Sequence, residues 1–215
     1  MKLLAICVGQ AGRLPGKSYK TGIYKTQVNG PVLIDELGLV GDAVCNKKHH
    51  GGPDQAILIE GSLTLDWWAT QLRRDVPFGT FGENLVMEGL DNRDVAVGDR
   101  FHLGDVVLEA TSPRSPCNTL AARMGDLGFS RAFLKAGRPG IYCRVISAGT
   151  LQPGGDVRHE FYPGERVPVP DLLASIGRKL SDAERSRFLS APIGSRWRDR
   201  LQPALRSISR NRDVW

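Results

Sequence analysis

The residues best placed to do chemistry lie in Thr111-Ser112-Pro113-Arg114-Ser115-Pro116-Cys117, where a single thiol follows an apolar strand in a loop that holds two prolines. Proline fixes φ and removes a backbone donor, so such a loop holds its side chains in one direction. Arg114 favours the thiolate form of Cys117 and offers a planar fork for a phosphate or carboxylate. A thiolate of this kind attacks an electrophile or ligates a soft metal. A nucleophile of the papain type needs a histidine base. His49, His50, His102 and His159 are all available, but none stands in a recognisable signature. An inert buried thiol is the bland alternative.

Three further segments carry candidate binding groups. Lys20-Thr21-Gly22-Ile23-Tyr24-Lys25 sets two cations and a hydroxyl around a glycine, which suits an anion through ammonium, hydroxyl and backbone amide donors, or else a solvated turn. Gly41-Asp42 and Lys47-Lys48-His49-His50-Gly51-Gly52-Pro53-Asp54 fit a pocket wall better than a zinc site. Adjacent histidines on a strand point to opposite faces, and spaced partner ligands are missing. Phe78-Gly79-Thr80-Phe81-Gly82-Glu83-Asn84-Leu85 alternates aromatics with glycines, and its Asn84 reads equally as a turn-former or a ligand contact.

These groups need a scaffold, and the first 165 residues read as short strands with turn punctuation. Strands are predicted over residues 3–8, 31–34, 56–60 and 141–147. Residues 100–103 and 106–111 are joined by Gly104-Asp105 as a two-residue hairpin. This spacing favours a barrel or sandwich over a parallel α/β sheet. Two helices interrupt it. One covers residues 62–73, with Ser62 as cap and Leu63, Trp67 and Leu72 inward; the other covers residues 118–125, directly after the cysteine. A helix start beside Cys117 favours its anion. After the breaks at Tyr162-Pro163-Gly164 and Val167-Pro168-Val169-Pro170 the pattern turns helical. Helices are predicted over 172–180 with Asp171 as cap, over 182–189 with a Ser181–Glu184 capping box, and from Gly194-Ser195 to about residue 207. The expected organisation is a body of residues 1–165 and a three-helix unit of residues 166–215 docked on it.

The charge is unevenly placed. The net +6 resides entirely in residues 166–215, which hold 11 Lys/Arg against 5 Asp/Glu, while residues 1–165 hold 18 of each. A basic three-helix tail could bind nucleic acid. Here, however, Arg185, Arg187, Arg196, Arg198 and Arg200 alternate with Asp182, Glu184 and Asp199, as on a solvated helix surface. None of the four cysteines is at C-x-x-C spacing, and Cys7 and Cys143 sit in strand-like runs as buried thiols. The first residues are too short an apolar run for a signal sequence, so a reducing cytoplasm is expected, with no membrane partner. The sequence leaves a homodimer open. Gly9-x-x-Gly12 lacks the strand–loop–helix context of a nucleotide fingerprint.

Taken in order, seven pieces resemble the MOSC family, named for the molybdenum-cofactor-sulfurase C-terminal domain, and within it the stand-alone bacterial YiiM-like branch. They are Lys20-Thr21-Gly22, Gly38-Leu39-Val40-Gly41-Asp42, His50-Gly51-Gly52-x-Asp54, Phe81-Gly82-Glu83-Asn84-Leu85, Val97-Gly98-Asp99-Arg100, Pro113-Arg114-x-Pro116-Cys117 and Gly140-Ile141-Tyr142-x-Arg144-Val145. The resemblance implies a mainly β, MOSC-type β-barrel closed by a small C-terminal three-helix unit, and a molybdopterin-type molybdenum cofactor. It makes Cys117 the molybdenum ligand and the catalytic anchor, and places Lys20 and Thr21 at the pterin or its phosphate. It carries His50, Asn84, Arg114 and Arg144 to the pocket wall. It implies reduction of N-hydroxylated substrates, such as 6-hydroxylaminopurine-type bases and amidoxime-like compounds, to amines. The electrons would come from a separate reductase. A non-catalytic cofactor or sulfur carrier is the alternative. The chain departs from the family pattern at Cys45-Asn46-Lys47-Lys48, where more acidic or polar residues are expected.

Overall fold

The computed structural model describes residues 1–202. Thirteen strands occur among them: β1 Leu3–Gly9, β2 Gly12–Arg13, β3 Lys20–Thr21, β4 Lys25–Val28, β5 Val32–Asp35, β6 Gly38–Leu39, β7 Ile57–Gly61, β8 Leu85–Met87, β9 Arg100–Leu103, β10 Val106–Pro113, β11 Ile141–Ser147, β12 Gly149–Leu151 and β13 Arg158–Glu160. Six α-helices accompany them: α1 Ser62–Leu72, α2 Asn118–Met124, α3 Phe129–Ala136, α4 Val169–Ala174, α5 Asp182–Ser190 and α6 Ser195–Leu201.

Eight strands form one mixed sheet in the order β13-β9-β10-β11-β7-β8-β1-β4, and β12-β5-β6 and β2-β3 form two small ones. All pairings are antiparallel except β7 with β8, which the chain joins through α1. The eight-stranded ladder ends at β13 on one side and β4 on the other, so no closed barrel is found among the described residues. The predicted hairpin is present: Val106 pairs with Leu103, and Gly104 takes φ +62° in the turn.

Both faces of this sheet are covered, which is why β7 and β8 at its centre are buried at every position rather than at alternate ones. In β8 the side chains divide, Leu85 and Met87 entering one core and Val86 the other. The first core joins the sheet to Val169 and Leu172 of α4, Phe188 of α5, and Trp197 and Leu201 of α6. The second joins it to Leu65 and Trp68 of α1, Leu120 and Met124 of α2, and Phe129 and Phe133 of α3. In that second core the Trp68 ring lies 5.6 Å from Phe81, 5.2 Å from Phe129 and 5.8 Å from Phe133. Losing one such ring to alanine costs about 3–5 kcal/mol.

Several sequence expectations shift here. Helix α1 turns Thr64, Leu65 and Trp68 inward, while Leu63 is 48% exposed and Trp67 is half-buried beneath Arg138. Gly61, not Ser62, occupies its cap position, and the Ser62 hydroxyl accepts the Gly89 N–H instead. Helix α4 starts earlier than predicted, because Pro170 fits a first turn that needs no donor, and ends before Gly177 at φ +76°. The Ser181–Glu184 capping box forms as predicted. Helix α3 is not among the predicted helices. Its signal is Phe129 and Phe133 four residues apart between Gly128 and the left-handed Gly137. The predicted continuation of α6 to about residue 207 lies outside the described residues beyond 202.

Four of the five tail arginines bond back onto the protein, while Arg200 is exposed as expected of a solvated surface. Arg185 donates to the Leu201 carbonyl, Arg187 to Asp171, Arg196 to the Lys47 carbonyl and Gln55, and Arg198 to the Leu189 and Ala191 carbonyls.

Candidate active site

Cys117 occupies the N-cap position of α2 with extended backbone, φ −140° and ψ 165°, four residues after the β10 strand ends at Pro113. The stretch is anchored at both ends: Arg114 N donates to the Gly140 carbonyl at 2.8 Å, and Ala121 N to the Cys117 carbonyl at 3.1 Å. The thiol opens into a cavity of about 390 Å³. Its floor is Cys117, Arg114 and Tyr142; its walls are Lys20, Thr21 and Asn84; and its roof is the irregular segment of residues 43–51, which carries His49 and His50.

The structure gives Cys117 the partner that the sequence withheld. Burial pushes its thiol up, but a hydrogen bond from His50, the Arg114 cation and the Leu120 backbone N–H together hold it down at about 6. The Tyr142 hydroxyl reaches His50 Nδ1 at 3.5 Å, a long contact. Burial raises the Tyr142 phenol, so it remains a proton donor at neutral pH. His49 and His50 sit in a turn closed by Asn46, where both His49 N and His50 N bond the Asn46 carbonyl. Being in a turn rather than a strand, both line the cavity.

Arg114 is the buried cation of the site, 4% exposed, with its guanidinium 5.8 Å from the Phe133 ring centre. Its Nε has no hydrogen-bond partner, and its one side-chain bond is a 3.5 Å contact to the Ser115 carbonyl. Glu60 and Glu83 are both buried, and burial raises both carboxyls, while the same Arg114 lowers each. Glu83 also accepts Gly79 N and Phe81 N, and so fixes the Phe-Gly-Thr-Phe-Gly turn. Glu60 accepts from Asn92.

Asn84 is the structural wall of the cavity. Its Oδ1 accepts Leu58 N at 3.1 Å, and its Nδ2 donates to Asp42 Oδ2 at 2.9 Å. Asp42 in turn accepts Gly9 N at 2.8 Å and the ammonium of Lys25, an ion pair whose partners are each 8% exposed. Asp42 and Lys25, quoted in the sequence as parts of patterns, thus act as the hub that sets the cavity's back wall. Gly22 permits the closest approach: a Cβ there would lie 1.9 Å from the Ala43 carbonyl oxygen, at the start of the roof. Lys20 and Thr21 lie on β3, paired with Arg13 and Gly12, and the Tyr19 hydroxyl bonds Thr119 of α2 at 3.0 Å.

Arg144 is the one predicted site residue that does not reach the cavity. Its side chain binds Asp54 Oδ1 at 2.9 Å, Glu109 Oε1 at 3.4 Å and the Pro192 carbonyl at 3.1 Å. On β11 its neighbour Tyr142, two residues earlier, reaches the cavity instead. Tyr142 stood in the quoted Gly-Ile-Tyr piece without a role.

Cys117, the half-buried His50 and the exposed Lys20 thus line one cavity, set on a mixed sheet with helices on both faces. The chain matches the MOSC domain over residues 46–158 and belongs to that family. It is 32% identical to YflK of Bacillus subtilis over 87% of this chain and 89% of that protein. It is 33% identical to YiiM of Escherichia coli over 61% of this chain and 60% of YiiM. A protein of Gibberella moniliformis named a reductase is 31% identical over 69% of this chain, which spans 28% of that protein. The crystal structure of YiiM from Geobacillus stearothermophilus superposes with a TM-score of 0.78 at 25% identity, covering 94% of this chain and 97% of that one. The Escherichia coli YiiM structure gives 0.73 at 26% identity, covering 94% and 91%. The chain is a YiiM-like member of the family.

Proposed function

We propose that this protein is a molybdenum-cofactor-dependent reductase of N-hydroxylated compounds, with 6-hydroxylaminopurine-type bases and amidoxime-like compounds as its substrate class. The observation that carries the reading is the Cys117 sulfur in a cavity shared with His50 and with the buried Arg114, whose Nε has no partner.

The residues fit the cofactor. A soft thiolate suits a high-valent, sulfur-ligated metal. Among the described residues no group of three or more His, Cys, Asp or Glu side chains could hold a metal ion by itself, so the metal comes with the ligands of its pterin. The partnerless Arg114 Nε offers a buried donor to an anionic group. Lys20 and Thr21 supply the ammonium and hydroxyl for a phosphate at the mouth.

When bound, the cofactor supplies the two-electron chemistry by which an N–OH group, with two protons, becomes N–H and water. The chain holds it through Cys117 and excludes bulk water with the roof. His50 and Tyr142 keep protons at the cavity wall, within reach of each other, where the leaving oxygen needs them. Electrons come from a separate reductase. Arg13, Lys20, Lys47 and Lys48 are exposed around the mouth, and among the described residues none is in an ion pair, so an acidic surface suits this face.

The test is turnover. Protein from a cofactor-competent host, given reduced methyl viologen and 6-hydroxylaminopurine, should form adenine. Absence of amine from fully loaded protein would reject the reductase and leave the carrier.

A further inference from the structure

A second cavity, of about 260 Å³, lies between the turn that precedes β7 and the start of α6, and shares only Gly51 and Gln55 with the first. The exposed Gly52 and Ser195 stand at its mouth, Asp54 and Arg196 on its walls, and Ser112, 1% exposed, at its floor. Trp197 supplies an apolar side.

Ser112 belongs to the Thr111–Cys117 stretch and reaches this cavity where β10 is irregular. Ala110 pairs with Cys143 and Ser112 with Tyr142, which leaves Thr111 as an extra residue, and such a bulge re-aims the side chains beside it. The Thr111 hydroxyl donates to the Asp54 and Tyr142 carbonyls, at 2.6 and 3.0 Å. The Ser112 hydroxyl is buried with no hydrogen-bond partner among the described residues. Buried hydroxyls are hydrogen-bonded as a rule, so this one calls for a partner that enters the cavity.

The charge of the walls selects that partner. Asp54 is the one acid lining the cavity among the described residues, and both its oxygens are engaged, Oδ1 by Arg144 at 2.9 Å and Oδ2 by Ser195 N at 2.7 Å. Arg196 donates only to neutral acceptors, the Lys47 carbonyl and Gln55 Oε1, and no ion pair among the described residues includes it. A guanidinium without a counter-charge and a hydroxyl without an acceptor suit an oxyanion.

We propose that this cavity is a second ligand site, separate from the one that holds Cys117, and that it takes a phosphate group through the Ser112 hydroxyl and the Arg196 guanidinium. Its volume admits a free phosphate ion or a small phosphate monoester whose organic part lies against Trp197. The proposal stands whatever the first cavity binds.

The test is isothermal titration and thermal unfolding of full-length, cofactor-free protein with inorganic phosphate and with glycerol phosphate, against chloride at equal ionic strength. Phosphate at about one hundred times its Kd should raise the wild-type Tm by about 5–10 °C. Ser112→Ala should weaken binding about tenfold, yet leave Tm in phosphate-free buffer unchanged or higher, because it removes a hydroxyl that no protein group satisfies. Arg196→Gln should weaken binding at least as much, and Ser112→Ala carries the test should that variant fail to fold. Lys20→Ala, which alters only the first cavity, should leave the affinity unchanged. Tighter binding of glycerol phosphate assigns the site to a monoester, and the reverse order assigns it to the free ion. Undiminished binding in Ser112→Ala, binding lost in Lys20→Ala, or no effect beyond that of chloride overturns the proposal.

Discussion

His50 Nδ1 lies 3.5 Å from the Tyr142 hydroxyl, joining a roof turn to a central strand 92 residues further along the chain. The same imidazole lines the cavity with Cys117 and helps to hold its thiol below the ordinary range, so three segments meet at one cavity. Each segment is held elsewhere: the strand by the sheet, the cysteine by Gly140 and α2, and the roof by α6.

The first consequence is a reactive thiol. With Cys117 held at about 6, its alkylation in cofactor-free protein should rise with pH around that value, and in His50→Ala the midpoint should move toward the ordinary thiol range near 8.5. Cys7, which burial and then Glu83 push up to about 12, and Cys143, which burial raises further, should stay unlabelled in the folded protein. An unshifted midpoint in His50→Ala would show that the imidazole does not hold the thiolate.

A second concerns the close approach at Gly22. A methyl group there meets the Ala43 backbone carbonyl at 1.9 Å, which no side-chain rotation relieves. Gly22→Ala should cost about 3 kcal/mol and lower Tm by about 6–12 °C. Gly12→Ala, with nothing within 4 Å of the new atom, should leave Tm unchanged by the same calorimetry.

A third concerns pH and the helical tail. Asp99 is wholly buried and accepts from Ala96 N, Tyr162 N, His159 and Arg166. Burial opposes its charge, but these donors outweigh it and hold the carboxyl below the usual range. A depressed folded value stabilises at all pH above the unfolded value of about 3.9, and that stability is lost as pH falls through the folded value. Asp99→Asn should therefore lower Tm most near neutrality, and the gap to wild type should narrow below about pH 4. A gap that stays constant with pH would contradict the assignment.

The sequence carried the scaffold wherever a local rule decides: the Gly104-Asp105 hairpin, the Ser181–Glu184 box and the helix after Cys117 all formed. It misjudged what contacts decide. The helical pattern puts Leu63, Trp67 and Leu72 inward; Trp67 and Leu72 do pack against the second core, but Leu63 is exposed and Thr64, Leu65 and Trp68 fill the buried face. The family resemblance implies a place for Arg144 at the cavity, yet strand alternation cannot say which residues of β11 reach a pocket beyond its end, and Arg144 pairs with Asp54 instead. The pairing of His50 with Cys117 spans 67 positions and left no local signal, so the thiol's partner became visible only in three dimensions.

The central claim is that Cys117 anchors a molybdenum cofactor. The most direct measurement is molybdenum by elemental analysis, together with pterin by fluorescence after oxidative release, in wild type and Cys117→Ala purified from the same cofactor-competent host. The account predicts near-stoichiometric molybdenum and pterin in the wild type and loss of both in the variant, with folding retained because Cys117 is only half-buried. Full cofactor in Cys117→Ala, or none in the wild type, would contradict it.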